Sequence, residues 1–394
     1  MRHLEAVVFG TGKMACGLLG PLLTESGYET VFVGRREEVV EAINRRGGYG
    51  LTVTGPIARR LTVRRCKALA VTQSRAVADA VARADIVMTG VGIDNLASLA
   101  PLITRGLWQR SQALGARPLN VVACENLPGA GGYLRHLIVR SAPLEQGMAV
   151  ESVGGFSAAL TRRIMTGGGL RNGELWFAVS GPPDLVVDVK GMKGAFPRIS
   201  GIGFTEDFSA LVMRKLYTLN LAQAVAAYLG YRFGCGYVHE AAVHPAVAPV
   251  VQGALREATA ALQAEFPRQA REIARHGAAA LLDMANPGLG DTIRRVARDP
   301  RRKLSPLERL VGPARLAFRH GLPHSHLSLG IAAALAYDEP GDPEALSLQE
   351  TVMTEGIDRV LTVDCGLLPY EPLARAVKEQ WRCLVAPDLQ PVVS

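Results

Sequence analysis

The feature that most constrains the fold is the start of the chain, which has the pattern of a strand, a helix, a second strand and a second helix. The apolar run LEAVVFG stops at Gly10, as a buried parallel strand does. It is followed by GTGKMACGLLGPLLTESG, whose apolar spacing predicts a helix ending near Gly27. The strand ETVFVG and the helix EEVVEAINRR come next. This order predicts a β-α-β unit.

The turn after the first strand reads G-x-G-x-x-A, with Gly10, Gly12 and Ala15. Gly10 allows a tight turn, and Gly12 lets the backbone approach a pyrophosphate, which the N-terminus of the following helix attracts. A glycine pattern alone is weak evidence, but one between a strand and a helix is typical of a dinucleotide-binding site. We therefore expect these three residues to bind a nicotinamide dinucleotide.

The end of the second strand bears on which dinucleotide is bound. NAD-binding units usually place Asp or Glu there to bind the ribose hydroxyls, whereas this chain has Gly34 followed by Arg35 and Arg36. The two guanidinium groups stand where a 2′-phosphate would lie, which favours NADP over NAD. Two glutamates follow at once, so the arginines are also consistent with an exposed helix start.

Further strands are predicted at RLTVRRC, ADIVMTGVG and LNVVACEN, with a helix at NLASLAPLITRGLWQRSQA between the last two. This alternation predicts an α/β doubly wound sheet that binds its ligand at the carboxyl ends of the strands. Gly92 and the pair Glu125-Asn126 occupy such ends. An equally good interpretation of that pair is a structural Asn before Pro128.

After Pro197 the apolar spacing is helical almost to the end of the chain. A length of 394 residues also exceeds one ordinary core, so two domains are expected. We predict a dinucleotide-binding domain over residues 1–195 and a mostly α-helical substrate domain over residues 196–394.

The stretch RKLYTLNLAQ in the second domain is predicted to be an amphipathic helix that carries Lys215, Asn220 and Gln223. On a regular α-helix, Asn220 lies about 140° round from Lys215 and Gln223 about 80°, so the three side chains can face one cleft. Taken alone, such a trio is more typical of a solvated stripe on a surface helix.

Six motifs then share an order with a known family: VMTGVG, RPLNVVACENLPG, MKGAFP, RKLYTLNLAQAVAAYLG, DTIRRVARDPRRKLSPLERL and GLPHSHLSLGIAAAL. Across most of its length the chain resembles the polyol-specific long-chain dehydrogenases. The resemblance implies a Rossmann-type domain followed by a helical domain, and hydride transfer with NAD or NADP and without a metal. Mannitol 1-phosphate and fructose 6-phosphate are the implied substrate pair.

The resemblance also implies roles for individual residues, because the family's catalytic pattern is K-x4-N-x2-H. Lys215 matches the general base, which must be neutral to take a proton. Asn220 and Asn126 match donors to the developing alkoxide. Arg295 and Lys303 match basic residues on the substrate-binding side, where they would hold a phosphate.

Three positions depart from the family pattern. The histidine is Gln223, which can bind a hydroxyl but does not titrate near neutral pH. Arg162 stands at a usually acidic position, and Gly34 replaces the acid after the second strand. These departures keep open an unphosphorylated polyol or a hexuronate as substrate, or a nucleotide-binding homologue without catalysis.

Other classes of partner are not favoured by the sequence. HEAAVH has one residue too many for the zinc pattern H-E-x-x-H, and the basic run from Arg59 to Lys67 lacks the aromatic residues or motif of a nucleic-acid site. That run alternates as an edge strand does. The net charge of +8 favours an anionic substrate, although an arginine-rich surface explains it equally well.

The cellular location is also predicted from the sequence. Six scattered cysteines without C-x-x-C are typical of a reducing compartment. The N-terminus does not resemble a signal peptide, and no apolar run approaches the ~20 residues that span a bilayer. We expect a cytoplasmic enzyme of polyol metabolism, a monomer or small homo-oligomer that binds neither membrane nor nucleic acid.

Overall fold

The computed structural model describes residues 4–54, 58–125, 127, 129–161, 163–181 and 183–385. The chain divides into two compact units, Met1–Ser209 and Ala210–Ser394. The first unit carries the strands, which are β1 Glu5–Phe9, β2 Glu29–Gly34, β3 Gly48–Thr54, β4 Arg59–Arg64, β5 Cys66–Ala70, β6 Ile86–Thr89, β7 Leu119–Ala123, β8 Gly154–Leu160, β9 Ile164–Arg171, β10 Glu174–Ser180, β11 Leu185–Asp188 and β12 Ile202–Thr205.

The main sheet of the first unit has the strand order β12-β11-β8-β7-β6-β1-β2-β5. From β5 to β8 all neighbours are parallel, and β11 and β12 continue the sheet in the opposite direction. The central strands are buried over nearly their whole length, as strands covered by helices on both faces must be. The predicted doubly wound arrangement is confirmed. The domain boundary near residue 195 stays a prediction, although β12 follows it in sequence.

A second, smaller sheet has the order β4-β3-β10-β9. The single strand predicted at RLTVRRC is wrong: β4 pairs with β3 here, whereas β5 pairs with β2 in the main sheet. Arg65, with a φ of 56°, lies between them and turns the chain from one sheet to the other. Because β4 is an edge strand with most side chains exposed, the edge position predicted for the basic run is confirmed.

From β1 to β8, each pair of consecutive strands of the main sheet is separated in the chain by at least one helix, as a doubly wound fold requires. The helix after β1 begins with a π-helical turn, Ala15–Leu19, and continues as α1. The others are α2 Glu37–Arg46, α3 Ser74–Arg83, α4 Leu96–Ser111, α5 Ala130–Arg140 and α6 Leu144–Val153, with α1 spanning Gly20–Glu25 and a 3₁₀ turn at Ile93–Asn95.

The second unit is helical throughout the part that the structure describes. Its first helix, α7 (Phe208–Lys215), continues through a π-helical turn at Leu216–Asn220 into α8 (Leu221–Arg232). Almost every residue of α8 is buried, so it forms the centre of this unit. The helices are α7 Phe208–Lys215, α8 Leu221–Arg232, α9 Val238–Val243, α10 Ala248–Glu265, α11 Ala270–Met284, α12 Ile293–Ala297, α13 Pro300–Leu304, α14 Val311–Arg319, α15 Ser325–Leu335, α16 Pro343–Glu355, α17 Ile357–Val363 and α18 Pro372–Val385.

Within the described ranges, no helix combines the length and the apolar character needed to cross a bilayer.

Candidate dinucleotide and substrate sites

The turn after β1 has the backbone geometry of a phosphate-binding loop. Gly10 has a φ of +120°, and a Cβ there would lie 2.8 Å from the carbonyl oxygen of Gly90 at the end of β6. A Cβ on Gly12 would meet no described atom within 4 Å. Protein packing therefore requires a glycine at position 10 but not at position 12, where the open space lets a pyrophosphate approach the backbone.

The helix that follows this turn begins at the loop and is held by the small sheet. The backbone N–H of Cys16 donates to the carbonyl of Gly12 at 2.9 Å, which closes the first turn. Ala15 is buried where the π turn begins, and the Tyr49 hydroxyl donates to the Cys16 carbonyl at 2.8 Å. A Cβ on Gly17 would lie 2.8 Å from Met165 Sδ. The predicted cofactor residues thus lie on a rigid turn packed against the second sheet.

The packing around Gly34, at the end of β2, explains why no carboxylate stands at this position. A Cβ on Gly34 would lie 2.6 Å from Thr11 Cγ2, a distance that side chains do not tolerate without a shift of Thr11. Arg35 and Arg36 follow, both exposed, and line a cleft of about 420 Å³ together with Gly10 and Gly12. Two arginines therefore stand at this cleft where the usual acid would be, and Thr11, which the sequence did not reveal, also lines it.

The turn after β6 is held by a buried carboxylate. Glu125 accepts hydrogen bonds from the Thr89 hydroxyl at 2.6 Å and from the Val91 N–H at 3.1 Å. Burial raises the pKa of the Glu125 carboxyl, and these hydrogen bonds oppose that rise. The next residue in the turn, Gly92, has a φ of +87° and so takes a conformation that favours glycine. Glu125 therefore fixes the turn that carries Gly92.

Asn126, the predicted partner of Asn220, lies outside the described residues, as does Arg162. Glu125 comes from the same EN pair that the sequence identified, but its role in fixing the neighbouring turn needed the structure. A polar residue at the end of a buried strand was the signal for it.

The helix of Lys215 and Asn220 differs from the regular α-helix expected from the sequence. Lys215 ends α7, and the N–H of Leu221 donates to the carbonyl of Leu216, five residues back. This π turn absorbs one extra residue, so Asn220 lies about 40° and Gln223 about 20° from Lys215 instead of about 140° and 80°. The expected angles were wrong because they assumed a uniform helix. The π turn brings the three side chains closer to one face.

Gln223 and Arg295, two further predicted site residues, both contact Asp291, which sequence reasoning missed. Gln223 Nε2 donates to Asp291 Oδ2 at 3.3 Å, and Asp291 Oδ1 forms an ion pair with the guanidinium of Arg295. Asp291 and Arg295 are four residues apart at the start of α12, which is a common spacing for an ion pair. That spacing, with Thr292 as the N-cap, was the available signal for Asp291.

Lys303 is not a surface cation. Its side chain is buried, and Nζ donates to the carbonyls of Ala297, Arg298 and Asp299, where α12 ends. Burial, together with the neighbouring charges of Arg302 and Arg309, lowers the pKa of the Lys303 ammonium to about 7. These hydrogen bonds connect Lys303 to the backbone that follows Arg295 in the chain. A contact between Lys303 and the substrate stays a prediction.

Among the described residues there is no group of three or more His, Cys, Asp or Glu side chains that could hold a metal ion. His239 lies within α9, and His244 follows the end of that helix. The expected independence from metals stays a prediction.

A parallel α/β sheet with a glycine turn at an open cleft, joined in one chain to a helical unit with a lysine and an asparagine on one helix, defines the class of two-domain nucleotide-dependent dehydrogenases. The chain belongs to the mannitol dehydrogenase family: residues 4–183 match the mannitol dehydrogenase Rossmann domain and residues 207–363 match the mannitol dehydrogenase C-terminal domain. This is a family of NAD-dependent oxidoreductases that act on CH–OH groups.

Relatives with curated functions match over almost the whole chain. The chain is 36% identical over 385 residues to the mannitol-1-phosphate 5-dehydrogenase of Geobacillus thermodenitrificans, which covers 96% of this chain and 98% of the relative. It is also 36% identical over 380 residues to the enzyme of the same name from Brevibacillus brevis, with the same two coverages. The predicted membership of the polyol dehydrogenases is confirmed.

Solved structures share the fold. Mannitol 2-dehydrogenase of Pseudomonas fluorescens, solved with NAD and D-mannitol, superposes with a TM-score of 0.74 at 18% identity, covering 97% of this chain and 92% of that one. A D-sorbitol dehydrogenase gives a TM-score of 0.69 at 15% identity, covering 95% of each chain. The predicted Rossmann-type domain followed by a helical domain is therefore confirmed.

Proposed function

We propose that this chain interconverts mannitol 1-phosphate and fructose 6-phosphate with a nicotinamide dinucleotide. The observation that carries the proposal is the 36% identity, over 96% of the chain, to enzymes named for mannitol 1-phosphate. Lys215, Asn220 and Arg295 of the family pattern are present as well. The open space beside Gly12 fits a dinucleotide, because a Cβ there would fill the position where a pyrophosphate approaches the turn.

The proposed chemistry assigns one task to each residue. Lys215 Nζ takes the proton of the reacting hydroxyl, and Asn220 and Asn126 donate hydrogen bonds to the developing alkoxide. Gln223 binds a neighbouring hydroxyl and Arg295 the phosphate, with Lys303 behind it. A nicotinamide dinucleotide held at the cleft lined by Gly10, Gly12, Arg35 and Arg36 would supply the acceptor for the hydride. The alcohol, having given its proton to Lys215 and its hydride to that acceptor, would become a ketone. No step requires a metal ion.

The test of the proposal compares fructose 6-phosphate with fructose, each in the presence of NADPH or NADH. We expect nicotinamide oxidation with fructose 6-phosphate and far less with fructose, and no loss of activity after treatment with a chelator. Equal rates with the two sugars would favour an unphosphorylated polyol, and a hexuronate assay would follow. Nucleotide binding without turnover of any of these substrates would favour the non-catalytic alternative.

We also propose, as a separate point, that the chain prefers NADPH to NADH. Arg35 and Arg36, which line the cleft beside Gly34, support this preference. Replacing both arginines by alanine is expected to weaken NADPH binding by about ten- to a hundredfold, because charged hydrogen bonds to a phosphate contribute roughly 1.5–3 kcal/mol. NADH has no 2′-phosphate, so its dissociation constant should change little. Titration of nucleotide fluorescence measures both constants.

The matched control for this pair is Arg59→Ala with Arg60→Ala, because those arginines are also adjacent and exposed but lie on the edge strand β4. The control should leave both dissociation constants unchanged. If the Arg35 and Arg36 variant weakened NADH as much as NADPH, the arginines would not recognise the 2′-phosphate.

A further inference from the structure

We infer that Asp291 is a positioning residue: it orients the Gln223 carboxamide so that this side chain presents an acceptor oxygen to the substrate. The inference rests on the proposed function, since it concerns how a hydroxylated substrate is recognised. It adds a residue that the family pattern K-x4-N-x2-H does not contain.

Asp291 is itself held in place by its backbone and its side chain. Its carbonyl accepts the N–H of Val238 at 2.9 Å, and the next residue, Thr292, caps α12 by accepting the N–H of Arg295 at 3.3 Å. The Asp291 side chain is 17% exposed, and its two carboxylate oxygens have different partners, Gln223 and Arg295. The carboxylate therefore has a fixed place between the two predicted substrate residues.

Hydrogen-bond chemistry decides how the Gln223 carboxamide is oriented. An ionised carboxylate only accepts hydrogen bonds, and the Asp291 carboxylate is ion-paired with the Arg295 guanidinium. The Gln223 side chain must therefore turn its NH₂ group towards Asp291, because the NH₂ group is the only donor of a carboxamide. The Gln223 carbonyl oxygen, Oε1, is then directed away from the carboxylate.

Gln223 stands on α8, which continues from the π turn that ends at Asn220. Gln223 follows Asn220 by three residues, so the two side chains lie on one face of α8. A group that meets Gln223 Oε1 must donate a hydrogen bond. A sugar hydroxyl can do so, whereas a phosphate dianion or a carboxylate is an acceptor and would be repelled. Position 223 thus selects a hydroxyl, and the anionic end of the substrate lies elsewhere.

Asp291→Asn tests the inference, because an asparagine amide can donate to Gln223 as well as accept from it and so no longer fixes its orientation. We expect the variant to raise the KM for the sugar by about tenfold and to change kcat less. A double-mutant cycle with Gln223→Leu separates this effect from one through Arg295. Once Gln223 is leucine, Asp291→Asn should have little further effect on KM; an equal effect in both backgrounds would overturn the inference.

A second measurement does not depend on the substrate. In protein labelled with ¹⁵N-glutamine, the NH₂ signal of Gln223 is the one lost in Gln223→Leu, and Asp291→Asn should shift it. Asp283→Asn, an exposed aspartate on α11, is the matched control and should leave it in place. An unshifted signal in Asp291→Asn would refute the contact even if fructose 6-phosphate is the substrate. A shifted signal supports it even if that substrate is wrong.

Discussion

Replacing Lys215 by alanine is expected to lower kcat by about 10²–10⁴, because this is the usual contribution of a general base. Lys215 stands where α7 passes into the π turn, on the same face as Asn220. In the proposed mechanism Lys215 takes the proton of the reacting hydroxyl and Asn220 binds its oxygen, so the alanine variant loses the base and keeps the oxygen contact. The KM for mannitol 1-phosphate should therefore change much less than kcat. Steady-state kinetics in the direction of alcohol oxidation measure both.

Two further variants sharpen this prediction. Lys215→Arg should be as inactive as the alanine variant, because a guanidinium stays protonated and cannot act as a base. Lys67→Ala, which removes a lysine side chain that is 77% exposed on the first unit, should keep full activity. Added primary amines should partly restore Lys215→Ala. A kcat within about tenfold of the unchanged enzyme would mean that another group accepts the proton.

Lys303 is expected to make the free energy of unfolding depend strongly on pH. The pKa of this ammonium is about 7 in the folded chain and near 10.5 in an exposed lysine. Between these values the unfolded chain keeps a proton that the folded chain has lost, so raising the pH favours the folded state. Lys303 should make the free energy of unfolding rise by up to about 1.4 kcal/mol per pH unit from pH 7 towards 10.

Denaturant unfolding of the unchanged protein and of Lys303→Met, at several values of pH, measures this contribution as a difference. The difference should grow with pH across that window, whereas the exposed Lys190→Met should follow the unchanged protein at every pH. A constant difference would mean that the carbonyls of Ala297, Arg298 and Asp299 keep the ammonium charged. A higher KM for fructose 6-phosphate in Lys303→Met would in addition support its proposed place behind Arg295.

The elements that sequence reasoning predicted well are those set by local patterns. The run EEVVEAINRR forms α2 over the same residues because its apolar positions repeat with the helical period and Gly47 ends it with a φ of 61°. The turn at Gly10 and Gly12 was equally predictable, because a short apolar strand is followed directly by glycines that allow a tight turn. These features depend on neighbours in the chain, which the sequence displays.

The errors lie where distant residues decide the structure. Nothing in RLTVRRC shows that it turns at Arg65 and contributes to two sheets, because the partner strands β2 and β3 lie elsewhere in the chain. The clash between Thr11 and a side chain at position 34 depends on a packing distance. Asp291 is 68 residues from Gln223, so their hydrogen bond has no local signature. Only the folded chain shows such pairs.

The π turn between Lys215 and Asn220 has a consequence for how sequence spacing is translated into shape. Such a turn is how a helix accommodates one inserted residue while both flanks keep their direction and their buried faces. The five-residue step from Lys215 to Asn220 is therefore the geometric equivalent of a four-residue step in an uninterrupted helix. A search for this lysine–asparagine pair by α-helical periodicity alone would miss it. The five-residue spacing brings the two side chains to one face only when the helix contains the extra residue of a π turn.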